Sequence, residues 1–163
     1  PKKLESLLTA IDAISYSKPI FLKLAVDLSH SQIDVLLGVV SRHRIHGFIC
    51  TNLTKKRENS KILDQHVPEK GGLSGKVVED LATEMIRYVY RKTQGKYIII
   101  GSGGVFSAMD AYVKIKAGAS LIQMITGMVF EGPQVVSEIN RGLVRLLRKD
   151  GFQNICEAVG ADL

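Results

Sequence analysis

Two stretches of the chain, each at the end of an apolar run, combine residue types that bind phosphate. Residues 101–107 (GSGGVFS) follow the apolar run 97–100, and Thr126 and Gly127 follow the run 120–125. Glycines let bare backbone N–H groups approach an anion, and a helix that begins there directs its positive end at it. Two such strand ends in succession predict one phosphate held between them. The alternative is a tight strand–helix turn without a ligand, and the pairing argues against it.

A dinucleotide-binding turn is the competing interpretation of residues 101–107. The segment begins like the GxGxxG pattern, but Phe106 occupies the position of the third glycine. No acidic residue ends the next predicted strand, where a ribose hydroxyl would need one. Both features argue against a dinucleotide-binding turn.

Polar residues near the ends of two earlier apolar runs could serve the same site. Lys23 lies within the first run, and Thr51 and Asn52 end the second. Burying an unpaired ammonium costs several kcal/mol, so we expect Lys23 to be functional; the alternative is an amine that reaches solvent. Asn52 suits a planar, amide-rich ligand or, equally, caps a loop. Ser74 and Gly75 by themselves predict only a helix N-cap and a glycine at a close approach.

Histidine and cysteine side chains form no catalytic or metal-binding pattern. Cys50 and Cys156 lack CxxC spacing, and we expect both to be reduced and Cys50 to be buried. No metal-ligand spacing is present. We expect a surface position for each of the four histidines: His30, His43, His46 and His66.

The elements that would position these residues alternate between strand and helix. Apolar runs predict strands at 19–25, 48–52, 97–100 and 120–125, the first buried on both faces. The polar segment 53–73 predicts a functional or mobile loop. Helical spacing of apolar residues predicts helices over 1–16, 133–149 and 152–159, and one whose apolar face is Val78, Leu81, Ala82, Met85 and Val89. Two further helices are predicted to begin at capping boxes: one at Ser29–Gln32 that ends near Gly47, and one at Ser107–Asp110 that ends at Gly118.

Alternating strands and helices predict a parallel sheet, either an open doubly wound sheet or part of a (β/α)8 barrel. In such barrels a phosphate typically lies after strands 7 and 8, at a short extra helix. The paired glycine sites follow the last two strands, and residues 127–131 fit that short helix. This favours the barrel. A complete barrel has eight strands and about 250 residues, so we expect the 163 residues to form a single partial domain.

Composition narrows the partner classes. The net charge of +6 indicates anionic partners only weakly, and the basic residues are scattered without interleaved aromatics, so we expect no nucleic acid binding. The apolar runs are too short to span a bilayer, and the N-terminus has no signal-peptide pattern.

Taken in order, the motifs resemble those of class 2 dihydroorotate dehydrogenases, the membrane-associated, quinone-linked class. The resemblance covers nearly the whole chain. Its segments are FLKLAVDL at 21–28, CTNLT at 50–54 with Arg57, GGLSGK at 71–76, IGSGGV at 100–105 with Asp110, AGASLIQMITG at 117–127, Gly132-Pro133, and Gly151-Phe152 with EAVG at 157–160.

The resemblance implies a fold, a cofactor and a reaction. The family fold is a (β/α)8 barrel that holds FMN and oxidises dihydroorotate to orotate in pyrimidine biosynthesis, and this chain would be its C-terminal half, strands 5–8. Asn52 matches an asparagine that binds orotate. The positions that match FMN-binding residues, the last four at the phosphate, are Lys23 beside the flavin ring, Thr51, Ser74, Gly75, Gly103, Gly104, Ile125 and Thr126.

Departures from the family pattern shape the remaining expectations. Leu53 replaces a substrate-contacting threonine, Val26 a proline, and Ile125 a tyrosine that contacts phosphate through its backbone. The serine base of the class lies in the N-terminal half, so we expect no catalytic residue in this chain and no activity from it alone. We expect it to pair with that half or with itself, in a cytoplasmic protein peripheral to the membrane that passes electrons to a quinone.

Two other functions stay open on the residues alone. One is a phosphate-binding half-barrel of a non-flavin enzyme, and the other is a non-catalytic assembly module.

Overall fold

The strands form one parallel sheet of four, in the order β1-β2-β3-β4. The computed structural model describes residues 1–14 and 16–163. The strands are shorter than the apolar runs that predicted them or are displaced by a residue or two: β1 is Phe21–Leu24, β2 Gly47–Cys50, β3 Ile98–Ser102 and β4 Leu121–Gln123. The strands therefore lie side by side in chain order. In a doubly wound sheet the strand order reverses at one point, so this order agrees instead with an arc of a (β/α)8 barrel.

The helices connect the strands and cover one face of the sheet. A 3-10 turn, Gly75–Val78, leads into the third helix. The seven helices of the described residues are α1 Lys2–Asp12, α2 His30–Val40, α3 Glu79–Thr93, α4 Ala108–Lys116, α5 Thr126–Glu131, α6 Val135–Lys149 and α7 Ile155–Ala158.

Local capping signals are confirmed at two helices. Ser29 and Gln32 form a capping box at the start of α2, and Ser107 and Asp110 form one at the start of α4. Each box satisfies backbone N–H groups that have no partner within the first helical turn.

The predicted end of α2 is wrong. The helix stops at Val40, with no basic residue in its last turn, and does not continue toward Gly47. The backbone N–H of His46 donates to the carbonyl oxygen of Ile20 at 2.9 Å, and its own carbonyl accepts from Ile98 N–H at 3.2 Å. These bonds extend the sheet, so the residues before Gly47 serve β2 instead of the helix.

The main core lies between the sheet and helices α2 and α3. Phe48 and Ile99 from the strands and Ile86 and Val89 from α3 are fully buried. Leu81, predicted on the apolar face of α3, is 39% exposed, because the helix turns that position away from the sheet.

The other face of the sheet is largely open, which contradicts the prediction that β1 is buried on both sides. Pairing register places Lys23, Ile49, Ile100 and Leu121 in one row across the strands. Lys23 and Leu121 are exposed, and the two isoleucines are half-buried. This row corresponds to the interior of a barrel.

A surface position was predicted for every histidine, and it is wrong for His43, whose side chain is only 6% exposed. Its Nδ1 lies 2.7 Å from Asp12 Oδ2, and its Nε2 lies 3.2 Å from Glu5 Oε1. Hydrogen bonds from Arg42 and His43 lower the pKa of Glu5, and those from His43 and Arg44 lower the pKa of Asp12. This cluster joins α1 to the turn after α2. The other three histidines are exposed.

Both cysteines are free thiols, as expected. Cys50 is fully buried, and desolvation raises its pKa to about 12. Cys156 is exposed.

Candidate functional site

A cleft of about 210 Å³ opens at the carboxyl end of the strands. Its walls come from β1 and from the segments that follow β2, β3 and β4. All nine residues singled out from the sequence line this cleft: Lys23, Thr51, Asn52, Ser74, Gly75, Gly103, Gly104, Ile125 and Thr126.

The glycines of the turn after β3 are held where a side chain cannot fit. Gly103 and Gly104 have φ angles of +118° and +71°, a region that favours glycine. A Cβ on Gly104 would lie 2.6 Å from the Cα of Glu79. Among the hydrogen bonds of the described residues, neither glycine N–H has a protein acceptor. The turn therefore lines the cleft with two residues whose N–H groups have no protein acceptor.

The first turn of α5 forms the opposite wall. A Cβ on Gly127 would collide with the carbonyl oxygen of Val105, so this helix start packs directly on the turn after β3. The first N–H groups of a helix have no partner within it. Two sets of N–H donors thus meet in one cleft, which is the arrangement that binds a phosphate.

Ser74 and Gly75 close a third side. Ser74 Oγ lies 3.0 Å from Thr126 Oγ1, and a Cβ on Gly75 would be 3.1 Å from the Thr126 methyl carbon. The long loop after β2 therefore returns to contact the segment after β4. Arg57 holds that loop in shape, donating to the carbonyl oxygens of Pro68 and Gly71 at 2.9 and 3.0 Å.

Polar groups at the ends of β1 and β2 line the rest of the cleft. Thr51 is buried, and its hydroxyl donates to the carbonyl oxygen of Asn52 at 2.9 Å. The Asn52 backbone N–H donates to the Leu24 carbonyl oxygen at 2.9 Å, and its side chain is exposed at the cleft. Lys23 lines the cleft with an exposed side chain, because it lies on the open face of the sheet.

A network of charged side chains lies behind the cleft, and the sequence did not predict it. Lys114 is fully buried, and its ammonium donates to Thr83 Oγ1 at 2.8 Å and to the Glu79 carbonyl oxygen at 3.1 Å. Burial lowers its pKa to about 8. The available signal was its position on the apolar face of α4, three residues after the buried Ala111.

Asp110 belongs to the same network. Burial opposes its ionisation, but hydrogen bonds from Lys76 and from the Phe106 N–H outweigh that effect and lower its pKa. Among the described residues, no group of three or more acidic, histidine or cysteine side chains could hold a metal ion. No helix in the described ranges is long and apolar enough to cross a membrane.

Comparison with known proteins decides the family. A family model described as dihydroorotate dehydrogenase matches residues 1–147. The chain belongs to the dihydroorotate dehydrogenase family. A dihydroorotate dehydrogenase (quinone) of Crocosphaera subtropica is 45% identical over 154 residues, covering 91% of this chain and 41% of the relative. That of Rippkaea orientalis is 40% identical over 168 residues, covering 98% and 44%. The predicted resemblance to the quinone-linked class is confirmed.

Solved structures of dihydroorotate dehydrogenase support the fold. The ligand-free enzyme of Eimeria tenella superposes with a TM-score of 0.90 at 29% identity, covering 99% of this chain and 50% of that one. The ferulenol complex from the same organism gives 0.85 at 31% identity, covering 92% and 40%. The fold class is confirmed as an α/β part of a TIM barrel. The chain spans about 40–50% of the length of these relatives.

Proposed function

We propose that this chain is the part of a class 2 dihydroorotate dehydrogenase that binds the phosphate of FMN. In that role it contributes to the oxidation of dihydroorotate to orotate in pyrimidine biosynthesis. The observation that carries the proposal is the convergence of nine family-matched residues on one cleft.

The shape of the cleft fits the phosphate end of FMN. Gly104 and Gly127 both line the cleft, and each packs too closely on neighbouring backbone for a side chain to fit. Backbone N–H groups of a glycine turn and of a helix start are the donors that bind phosphate elsewhere. The volume of about 210 Å³ is below the range of about 300–1,000 Å³ that encloses a whole small ligand. The cleft is therefore suited to one end of the cofactor, with the remainder lying along β1 and β2.

The side chains along β1 and β2 would meet the ring and the substrate. Lys23 would hold a positive charge beside the flavin, where negative charge develops as the hydride arrives. Thr51 and Asn52 are fixed to neighbouring strands through their backbones, so the Asn52 amide is positioned to donate and accept at a planar amide substrate. When bound, FMN supplies the hydride acceptor.

We assign no catalytic base to the 163 residues. Proton removal falls to the serine that the resemblance places on the other half of the barrel, and a quinone would take the electrons. Leu53, which lines the cleft at the family's threonine position, would offer no hydrogen bond to substrate.

The open row from Lys23 to Leu121 and the outer edges of β1 and β4 need a cover. Within the described chain, each of these edge strands pairs with a single neighbour. We propose that the N-terminal half of the barrel covers them, or a second copy of this chain in its absence. A monomeric mass by light scattering, together with hydrogen exchange that shows a well-folded chain, would count against this pairing.

Titration of the purified chain with FMN and with riboflavin tests the function. Riboflavin lacks the phosphate, and each charge-assisted hydrogen bond to a phosphate contributes about 1.5 kcal/mol or more. We expect FMN to bind at least about tenfold more tightly. Equal affinities, or no binding of either flavin, would refute the proposal, and no binding would favour the assembly module.

A matched pair of glycine variants locates the site. Gly104→Ala should abolish the preference for FMN, because the added methyl forces the turn away from Glu79. Gly38→Ala adds the same methyl where no atom lies within 4 Å, and it should leave the preference unchanged. Addition of dihydroorotate to the flavin-loaded chain should not bleach the flavin, since the base is absent; bleaching would contradict the expected inactivity.

A further inference from the structure

We propose that Lys76 and Asp110 form a tie that fixes the spacing of two glycine turns around the cleft, so that both act as positioning residues for a bound phosphate. The inference deepens the proposed FMN function and depends on it for the identity of the ligand. Neither side chain lines the cleft itself, so the tie acts from behind.

Asp110 contacts two segments with its two carboxylate oxygens. Oδ2 accepts from the Phe106 N–H at 2.8 Å and from the Ser107 N–H at 2.9 Å. Oδ1 lies 2.8 Å from Lys76 Nζ. A capping box requires only the Ser107 contact. The other two contacts connect the turn after β3 to the segment that begins at Gly75.

Lys76 reaches across from the 3-10 turn. Its ammonium also lies 3.0 Å from Glu79 Oε1, and it stands 5.5 Å from the centre of the Phe106 ring. Lys76 follows Gly75, whose backbone packs against Thr126. One ammonium therefore relates the position of the Gly75 turn to the turn that contains Gly103 and Gly104.

The acceptor side of the tie is better buried than the donor side. Asp110 is 11% exposed at its side chain, and Lys76 is 44% exposed. Glu79 is held in place by two contacts of its backbone. The backbone packs on Gly104, and the carbonyl oxygen accepts a hydrogen bond from the Lys114 ammonium. Loss of the Lys76 ammonium would thus release the Gly75 turn and leave Asp110 Oδ1 without its partner, which loosens the hold of this carboxylate on the Phe106 and Ser107 N–H groups.

Lys61 offers a matched control. Its ammonium pairs with the same Glu79 at 3.2 Å and with Asp80 at 2.6 Å, and its side chain is 36% exposed. Its ion pairs do not include Asp110. Lys61→Met therefore removes an equal charge from the same carboxylate without breaking the tie.

The first measurement is the affinity of the purified chain for FMN and for riboflavin. Lys76→Met should weaken FMN about three- to fivefold, as expected for a partly exposed ion pair, and should leave riboflavin unchanged. Lys61→Met should leave both affinities within a factor of about two. Lys76→Arg keeps a cationic donor and should restore FMN affinity. Equal loss in Lys76→Met and Lys61→Met, or equal loss for both flavins, would overturn the proposal.

The second measurement needs no ligand. Amide hydrogen exchange at Phe106 and Ser107 should become faster in Asp110→Asn and in Lys76→Met, and should not change in Lys61→Met. If the wild-type chain shows no preference for FMN, the proposed function fails, whereas the exchange rates still judge the tie. Unchanged exchange in Lys76→Met would refute the tie whatever the flavin result.

Discussion

Lys114 should make the stability of this chain rise with pH in a window where most lysines contribute nothing. Its ammonium is fully buried under the first turn of α3. Burial lowers its pKa from 10.5 to about 8. One pKa unit corresponds to about 1.4 kcal/mol, so folding disfavours the charged form by about 3 kcal/mol.

The sign follows from proton counting. Below pH 8 the ammonium is charged in both the folded and the unfolded chain, and the full cost of burying it is present. Between pH 8 and 10.5 the folded chain loses this proton while the unfolded chain keeps it. Because the unfolded state then binds more protons, the free energy of unfolding rises with pH, by up to about 3 kcal/mol across the window.

Urea unfolding of the wild-type chain and of Lys114→Met isolates this effect. Methionine keeps the length and volume of the stem without the charge, so other titrating groups cancel in the difference between the two free energies of unfolding. That difference should move in favour of the wild type by about 2–3 kcal/mol between pH 8 and 10.5. A difference that stays constant, or moves toward the variant, would refute the buried-ammonium argument.

Lys92 provides the control of opposite sign. Hydrogen bonds to Asp34 and Tyr88 raise its pKa above 10.5. The stability that it contributes is present below that value and is lost only at higher pH. The difference between wild type and Lys92→Met should therefore be flat over the window in which Lys114 acts.

Two further predictions concern stability elsewhere. Gly38→Ala should stabilise the chain by about 0.5–1 kcal/mol, because alanine suits a helix interior and the added methyl meets no atom within 4 Å; Gly142→Ala should destabilise it, since its methyl would collide with Ala108 and separate α6 from α4. Lower urea midpoints for the first variant, or higher ones for the second, would contradict this. The lowered pKa values of Glu5 and Asp12 mean that their stabilisation is present above about pH 4.5 and is lost as the pH falls through their folded values. Glu5→Gln with Asp12→Asn should flatten the acid side of a midpoint-against-pH curve, and an unchanged acid side would refute the pairing.

Sequence reasoning succeeded where the determinants are local. The capping boxes at Ser29 and Ser107 place donor and acceptor three residues apart, so the pattern itself contains the interaction. The turn at Gly103 and Gly104 could also be predicted from the sequence, because a positive φ angle and a close approach to neighbouring atoms favour glycine at both positions. Six of the nine site residues follow a strand directly, and they gather in one cleft because parallel strands end at one edge: Thr51, Asn52, Gly103, Gly104, Ile125 and Thr126. Lys23 lies within β1, and the loop after β2 brings Ser74 and Gly75 back to the same edge.

The end of α2 and the burial of Lys114 were not predicted, because each depends on a partner that is distant in the sequence. The end of α2 depends on bonds from His46 to Ile20 and from Ile98 to His46, which no helical period reports. Lys114 can be buried because the Thr83 hydroxyl and the Glu79 carbonyl oxygen, more than thirty residues earlier, accept hydrogen bonds from its ammonium. A lysine on an amphipathic helix without those partners would face solvent.

Glu79 is the residue through which these separate contacts act on the candidate site. Its backbone packs against Gly104, its carbonyl accepts from Lys114, and its carboxylate pairs with Lys76 and Lys61. Lys114 holds the Glu79 backbone behind Gly104, and Lys76 also pairs with Asp110, whereas the ion pairs of Lys61 do not reach Asp110. Glu79 itself does not line the cleft. A phosphate bound in front of Gly104 would therefore meet a turn whose position is already fixed from behind. The entropy of ordering that turn would then be spent in folding and not in binding, which would lower the cost of the anion binding that the proposed function requires.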